Sequence, residues 1–97
     1  MSGYTLSKRA KQDLSGIVRY TAKTWGKAQA KTYSEAIVVT CERLAEGKGH
    51  SRPVEEIRQV LRKAKSGSHF IYFEQTDDGI YVIRILHQAM DVERWLG

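Results

Sequence analysis

Between Ser7 and Trp25 the apolar residues Ala10, Leu14, Ile17, Val18 and Trp25 recur at three- and four-residue steps, which sets them on one stripe of an amphipathic helix. Ser7 is a residue type that caps such a helix, and Gly26 is one that stops it. A second stripe follows at once, through Ala30, Tyr33, Ile37, Cys41 and Leu44, and runs out at Gly47. So short a connection folds the two helices back as an antiparallel hairpin. Ahead of them, "YTL" reads as a short β-prone segment ending at Ser7.

Beyond Gly47 the pattern changes. "EGKGHSRPVEE", with the only proline, reads as a loop, and "IRQVLRKA" fits either strand or helix and is taken as a strand. "HFIYFEQ" and "GIYVIRILH" are rich in β-branched and aromatic residues, and "TDDG" between them signals a hairpin turn. With an even loop, parity puts Phe70, Tyr72, Glu74, Tyr81, Ile83 and Ile85 on one face of the hairpin. His69, Ile71, Phe73, Val82, Arg84 and Leu86 fall on the other. Both faces are largely apolar, so one covers the helices and the other calls for a partner. An unpaired guanidinium is costly to bury, so the Arg84 face is expected to be the partner-facing one. The fold expected is α+β: a short N-terminal strand, a helical hairpin, and a small antiparallel sheet in the order β-α-α-β-β-β. Leu14, Ile17, Trp25, Tyr33, Ile37 and Leu44 should line the helix side of its core.

Length and composition narrow this further. At 97 residues and 41% hydrophobic, the chain supports one domain, 1–97, around one core. It contains no apolar run of about 18 residues, and "MSGYTLSKRAK" turns charged before a signal segment forms, so a cytoplasmic location without membrane contact is expected. Cys41, the only cysteine, sits on the apolar stripe of the second helix, where an inert buried thiol is the plain reading. The net charge of +5 suits an anionic partner, whether nucleic acid, nucleoprotein or acidic protein segment, or simply a soluble basic surface. Lys8, Arg9 and Lys11 crowd the first turn of the first helix, where the macrodipole disfavours cations. That turn is either merely solvated or kept basic for binding.

Candidate chemistry is sparse. No phosphate-binding loop, zinc spacing or serine-nucleophile signature occurs, and His50, His69 and His87 show no helical ligand spacing, so neither a metal, a cofactor nor a small-molecule substrate is expected. Arg58, Arg62, Lys63 and Lys65 fall near Arg84 in a meander and suit phosphates or a carboxylate-rich peptide, or else guard a strand edge. Metal-free RNA cleavage needs a base, an acid and cations on the phosphorane. Arg62, Lys63, Arg84 and His87 offer part of such a set, but "MDVERWLG" adds neither tyrosine nor lysine, and the set is incomplete.

In order and spacing, "LSKRAKQDLSGIVRYT", "WGKAQAKTY", "LAEG", "GSHFIYF" and "IRILHQAMD" resemble the ParE branch of the RelE/ParE toxin superfamily of type II toxin–antitoxin modules, over nearly the whole chain. The resemblance implies a helical hairpin on a small antiparallel sheet, inhibition of DNA gyrase and hence of replication, and neutralisation by a ParD-like antitoxin. The ribosome-dependent mRNA endoribonuclease activity of RelE-type relatives is the alternative, and Arg62, Arg84 and His87 would then be the catalytic candidates. On the ParE reading there is no catalytic group. Arg84, His87, Met90, Asp91, Arg94 and Trp95 are then expected to contact the target, with His87 hydrogen-bonded locally. Leu14, Val18, Trp25, Ile71, Phe73 and Val82 are expected to meet the antitoxin.

Overall fold

The computed structural model describes residues 3–96; Met1, Ser2 and Gly97, the ends of the expected 1–97 domain, lie outside them. In chain order the elements are β1 (Gly3–Leu6), α1 (Lys8–Trp25), α2 (Lys27–Ala45), β2 (Arg52–Pro53), β3 (Arg62–Ser66), β4 (His69–Thr76), β5 (Gly79–His87) and α3 (Val92–Leu96). Ser7 caps α1 by accepting the Ala10 N–H at 2.9 Å. Gly26 alone separates the two long helices, donating its N–H to Ala22 and accepting from Ala30, and α2 packs along α1.

The fold class is the α+β one expected, with a fuller sheet. Five strands run in the order β1-β5-β4-β3-β2. β2, β3, β4 and β5 pair antiparallel, whereas β1 joins β5 in parallel, with Leu6 opposite Val82. Of "IRQVLRKA" only the end is strand. Val54 to Leu61 forms turns in which the Val54 C=O accepts from Ile57 and Arg58, and the apolar residues there serve as a lid.

That lid creates a second core. On the helix side of the sheet, Ala10, Ile17, Ile37, Cys41 and Leu44 meet Ala64, Ile71, Phe73, Ile80, Val82 and Ile85. On the opposite side, Val54, Leu61, Tyr72 and Leu86 are buried beneath the turns and the C-terminal segment, with Met90, Val92 and Leu96 packed against them. Both apolar faces are thus largely covered by the chain itself, which removes the reason for assigning one of them to a partner.

Strand parity holds only up to a bulge. Tyr72 pairs with Arg84 but Phe73 with Val82, leaving Ile83 as the extra residue on β5, and an extra residue shifts the alternation of everything beyond it. Ile85 therefore joins the helix side and Leu86 the lid side, the reverse of the assignment from parity. Trp25 also departs from its expected place. It is 71% exposed, because the last turn of α1 carries it clear of the core although its spacing matches the buried stripe.

Replacing the fully buried Ile37 by alanine is expected to cost about 2–5 kcal/mol, and the half-buried Leu14 less. Trp25→Ala should stay within about 0.5 kcal/mol. Urea-unfolding midpoints of the three variants check this ordering.

Candidate functional site

β1 ends at Leu6, so the upper part of β5 has no strand neighbour on that side, and α1 supplies one by other means. The Ser7 N–H donates to the Val82 C=O at 2.8 Å, Ser7 Oγ donates to the Ile83 C=O at 2.6 Å, and the Ile85 N–H donates to Asp13 Oδ2 at 2.9 Å. The same carboxylate accepts from Arg84 Nε at 2.8 Å and from Nη2 at 2.9 Å. This is a side-on bidentate pair, strong because both partners are ionised and the geometry is planar. It also holds the Arg84 guanidinium protonated, its pKa raised chiefly by the Asp13 hydrogen bonds and lowered in part by burial.

The expectation for the Arg84 face is therefore overturned. Arg84 is only 8% exposed, and the cost of burying it is offset by a carboxylate on α1 that periodicity alone does not single out. Ile71, Phe73 and Val82 lie in the core under the helices. In this conformation they have no surface to offer an antitoxin. Leu14 and Val18 instead line an open groove of about 400 Å³ with Leu6, flanked by the cations Lys11 and Arg19.

A second cavity, of about 510 Å³, opens where the α1–α2 junction meets the end of the β4–β5 hairpin, and Tyr20, Trp25, Tyr33, His69 and His87 line it. Gly67 is at φ 59°, and its missing side chain makes room for the Tyr33 ring, which a Cβ there would meet at 2.6 Å. The Ser68 N–H donates to the Tyr33 hydroxyl at 2.8 Å, and that hydroxyl lies 2.7 Å from His69 Nδ1. The same hydroxyl also donates to the Ser66 C=O at 3.4 Å, and the direction of its bond to Nδ1 follows the His69 tautomer. Burial, and next the neighbouring His87, lower the pKa of His69. The two imidazoles meet edge to face with centroids 5.3 Å apart. His69 and Tyr33 are the members of this cluster that sequence reasoning missed as site residues; pairing of His69 with His87 across the hairpin was the signal available.

The other candidates are dispersed. His87 Nδ1 accepts the Ala89 N–H at 3.1 Å, the local bond expected. Arg62 is held by Ser51, through Nε to Oγ and Nη2 to the carbonyl, and so does not converge with Arg84 and His87. Trp95, on α3, is 44% exposed with its ring centroid 5.6 Å from Arg84 Cζ. Asp91 and Arg94 are exposed beside it, while Met90 is half-buried against the lid. Cys41 is buried in the core, and burial pushes its thiol up to about 11. Among the described residues no group of three or more metal-ligating side chains occurs, and no helix is long and apolar enough to cross a membrane.

A small mixed sheet with a helical hairpin on one face and a short lid on the other is the class of domain that this site belongs to. Residues 4–92 match the family model described as ParE toxin of type II toxin-antitoxin system, parDE, and the chain belongs to that family. Toxin ParE1 of Caulobacter vibrioides is 38% identical over all of both chains. Toxin ParE of Escherichia coli is 34% identical over 95% of this chain and 90% of that one. Toxin ParE1 of Mycobacterium tuberculosis is 38% identical over 96% of each. A chain of the chromosomal ParDE TA system from P. aeruginosa shares the fold, with a TM-score of 0.75 at 21% identity over 90% of this chain and 96% of that one.

Two outcomes are expected. Asp13→Asn removes the charge that Arg84 is paired with, and should lower stability by about 3–5 kcal/mol; a double-mutant cycle with Arg84→Met by chemical denaturation should show strong coupling between them. For His69, the folded-state pKa lies below the ordinary value, so the unfolded chain takes the proton more readily. Its contribution is fully present above about pH 6.5 and is lost as the pH falls below that. Midpoints measured from pH 7.5 down to 5 should fall less steeply in His69→Gln than in the parent.

Proposed function

We propose that this protein is the toxin of a type II module that acts in the cytoplasm by binding DNA gyrase and blocking replication, and that a ParD-like antitoxin neutralises it. The observation that carries this reading is the match to the ParE toxin family across residues 4–92; gyrase and the antitoxin follow from that kinship. On this reading the chain acts by binding rather than by catalysis. The target meets the exposed C-terminal region, through His87, Asp91, Arg94 and Trp95, with Met90 and Arg84 supporting it from behind.

The antitoxin's place is the groove of Leu14 and Val18, extended toward Trp25. An apolar floor between Lys11 and Arg19 suits an acidic, amphipathic segment that orders on binding.

The endoribonuclease reading rests on a different observation, the Tyr33, His69 and His87 cluster beside an open cavity, which brings imidazoles to one place. Its weakness is that Arg62 and Arg84 are engaged elsewhere. Purified protein assayed against gyrase supercoiling and, in parallel, against ribosome-coupled RNA cleavage separates the two. His87→Gln keeps a hydrogen-bonding side chain for target contact but removes the acid–base function, so growth arrest and gyrase inhibition should be retained; loss of both arrest and RNA cleavage, in a folded variant, decides for the nuclease. Removal of the whole segment from Asp91 is a poor probe, since Val92 and Leu96 pack on the lid-side core and their loss lowers stability. Arg94→Ala with Trp95→Ala should weaken arrest at least several-fold with the fold retained.

A further inference from the structure

The cavity of about 510 Å³ between the α1–α2 junction and the end of the β4–β5 hairpin has an unusual wall for so basic a chain. Among the described residues no lysine, arginine, aspartate or glutamate lines it, although the net charge is +5. Two of its lining residues, Tyr20 and Trp25, are 68% and 71% exposed, large rings that the fold itself leaves uncovered. Tyr33 is already fixed, its hydroxyl engaged by Ser66, Ser68 and His69. That part of the wall needs no ordering when something binds.

A separate observation points to a ligand with polar groups. Thr32 and Thr40 each return their hydroxyl to the carbonyl four residues back, the usual habit of a helical threonine. Thr21 is only 7% exposed, yet its Oγ1 makes no hydrogen bond among the described residues. It is not sealed off either, since the fully covered side-chain polar atom without a partner is Arg84 Nη1. The Thr21 hydroxyl therefore keeps an opening, and the cavity that Thr21 lines provides it. His87 adds a directed donor: with Nδ1 accepting the Ala89 N–H, the neutral ring carries its proton on Nε2. Burial lowers the pKa of His69, so this imidazole brings no charge near neutral pH. Gln29, exposed on the same wall, offers an amide that both donates and accepts.

We infer that this cavity is a binding site for an uncharged purine, as the free base or its nucleoside. A purine presents two aromatic faces and an edge of donors and acceptors, which answer to the rings of Tyr20 and Trp25 and to the hydroxyl, amide and imidazole groups beside them. A carboxamide such as that of Gln29 matches the adenine edge with two bonds. An aromatic side chain of a protein would stack as well, but it brings at most one polar group. Thr21, Gln29 and His87 would then lose water without replacement partners. With no cation in the wall, nothing there holds a phosphate, so the ligand is a nucleoside rather than a nucleic-acid strand. The inference goes beyond the toxin's protein partners, involves no cleavage, and does not depend on gyrase being the target.

The test uses the whole chain in a Trp95→Phe background, so that Trp25 reports by fluorescence. Titration with adenosine should quench Trp25 saturably and, in nitrogen-labelled protein, shift the His87 imidazole resonances. Thr21→Val, which keeps the shape of the side chain and removes its hydroxyl, should weaken binding about fivefold, and Gln29→Ala by a similar factor. Circular dichroism should show both variants folded. The same change at a back-bonded threonine, Thr40→Val, should alter affinity by less than about twofold. Adenosine monophosphate should bind no more tightly than adenosine. Absence of saturable quenching up to the solubility limit of adenosine would overturn the site. Equal affinity of Thr21→Val and its parent, or binding of p-cresol as tight as that of adenosine, would overturn it too and make the cavity a slot for an aromatic side chain. Tighter binding of the monophosphate or of an oligoadenylate, by about tenfold or more, would overturn the assignment to an uncharged ligand in favour of a nucleotide strand.

Discussion

The Asp13 carboxylate holds the molecule together at the point where its two halves meet. It accepts three hydrogen bonds, two from Arg84 and one from the Ile85 backbone. With Ser7 bonded to Val82 and Ile83, it replaces the strand partner that β5 lacks once β1 has ended. Without such a replacement the exposed backbone of β5 would be an unpaired sheet edge. The bulge at Ile83 belongs to the same arrangement, because it re-aims the strand at the position where the arginine must reach the helix.

Much of the architecture follows from local signals. The periods of α1 and α2, the Ser7 cap, the single-glycine connection and the β4–β5 hairpin are each written within a few neighbouring residues. What escaped was non-local. The parallel pairing of β1 with β5 joins segments some 76 positions apart and has no local signature, and α3 and the two-residue β2 are too short to carry a period. The bulge is likewise invisible to alternation, and it reverses Ile85 and Leu86. Trp25 shows a further limit: spacing places a residue on a stripe but does not say where the neighbouring sheet stops.

The site was legible to a similar degree. Arg84 and His87 drew attention as residue types at a strand end, and His87 makes the local bond that a strand terminus needs. The charge of Arg84 argued for exposure, and it failed because pairing, not polarity alone, decides whether an ion can be buried. Asp13 is one acid among many polar residues of α1 and becomes informative only when β5 is laid beside it. The basic first turn of α1 was visible from Lys8 and Arg9 as a departure from helix electrostatics.

The closure of β1 on β5 has a consequence for biosynthesis. A ribosome delivers a chain from its N-terminus, and β1 must wait for β5, some 76 positions later, before it has a partner. The α1–α2 hairpin can form early, since its contacts are local, but Asp13 remains without Arg84 until some 70 further residues have appeared. Contacts of this sequence separation form late and set the pace of folding. A nascent or truncated chain that stops short of β5 therefore carries the helices without the completed sheet, and the finished surface exists only once β5 has been made.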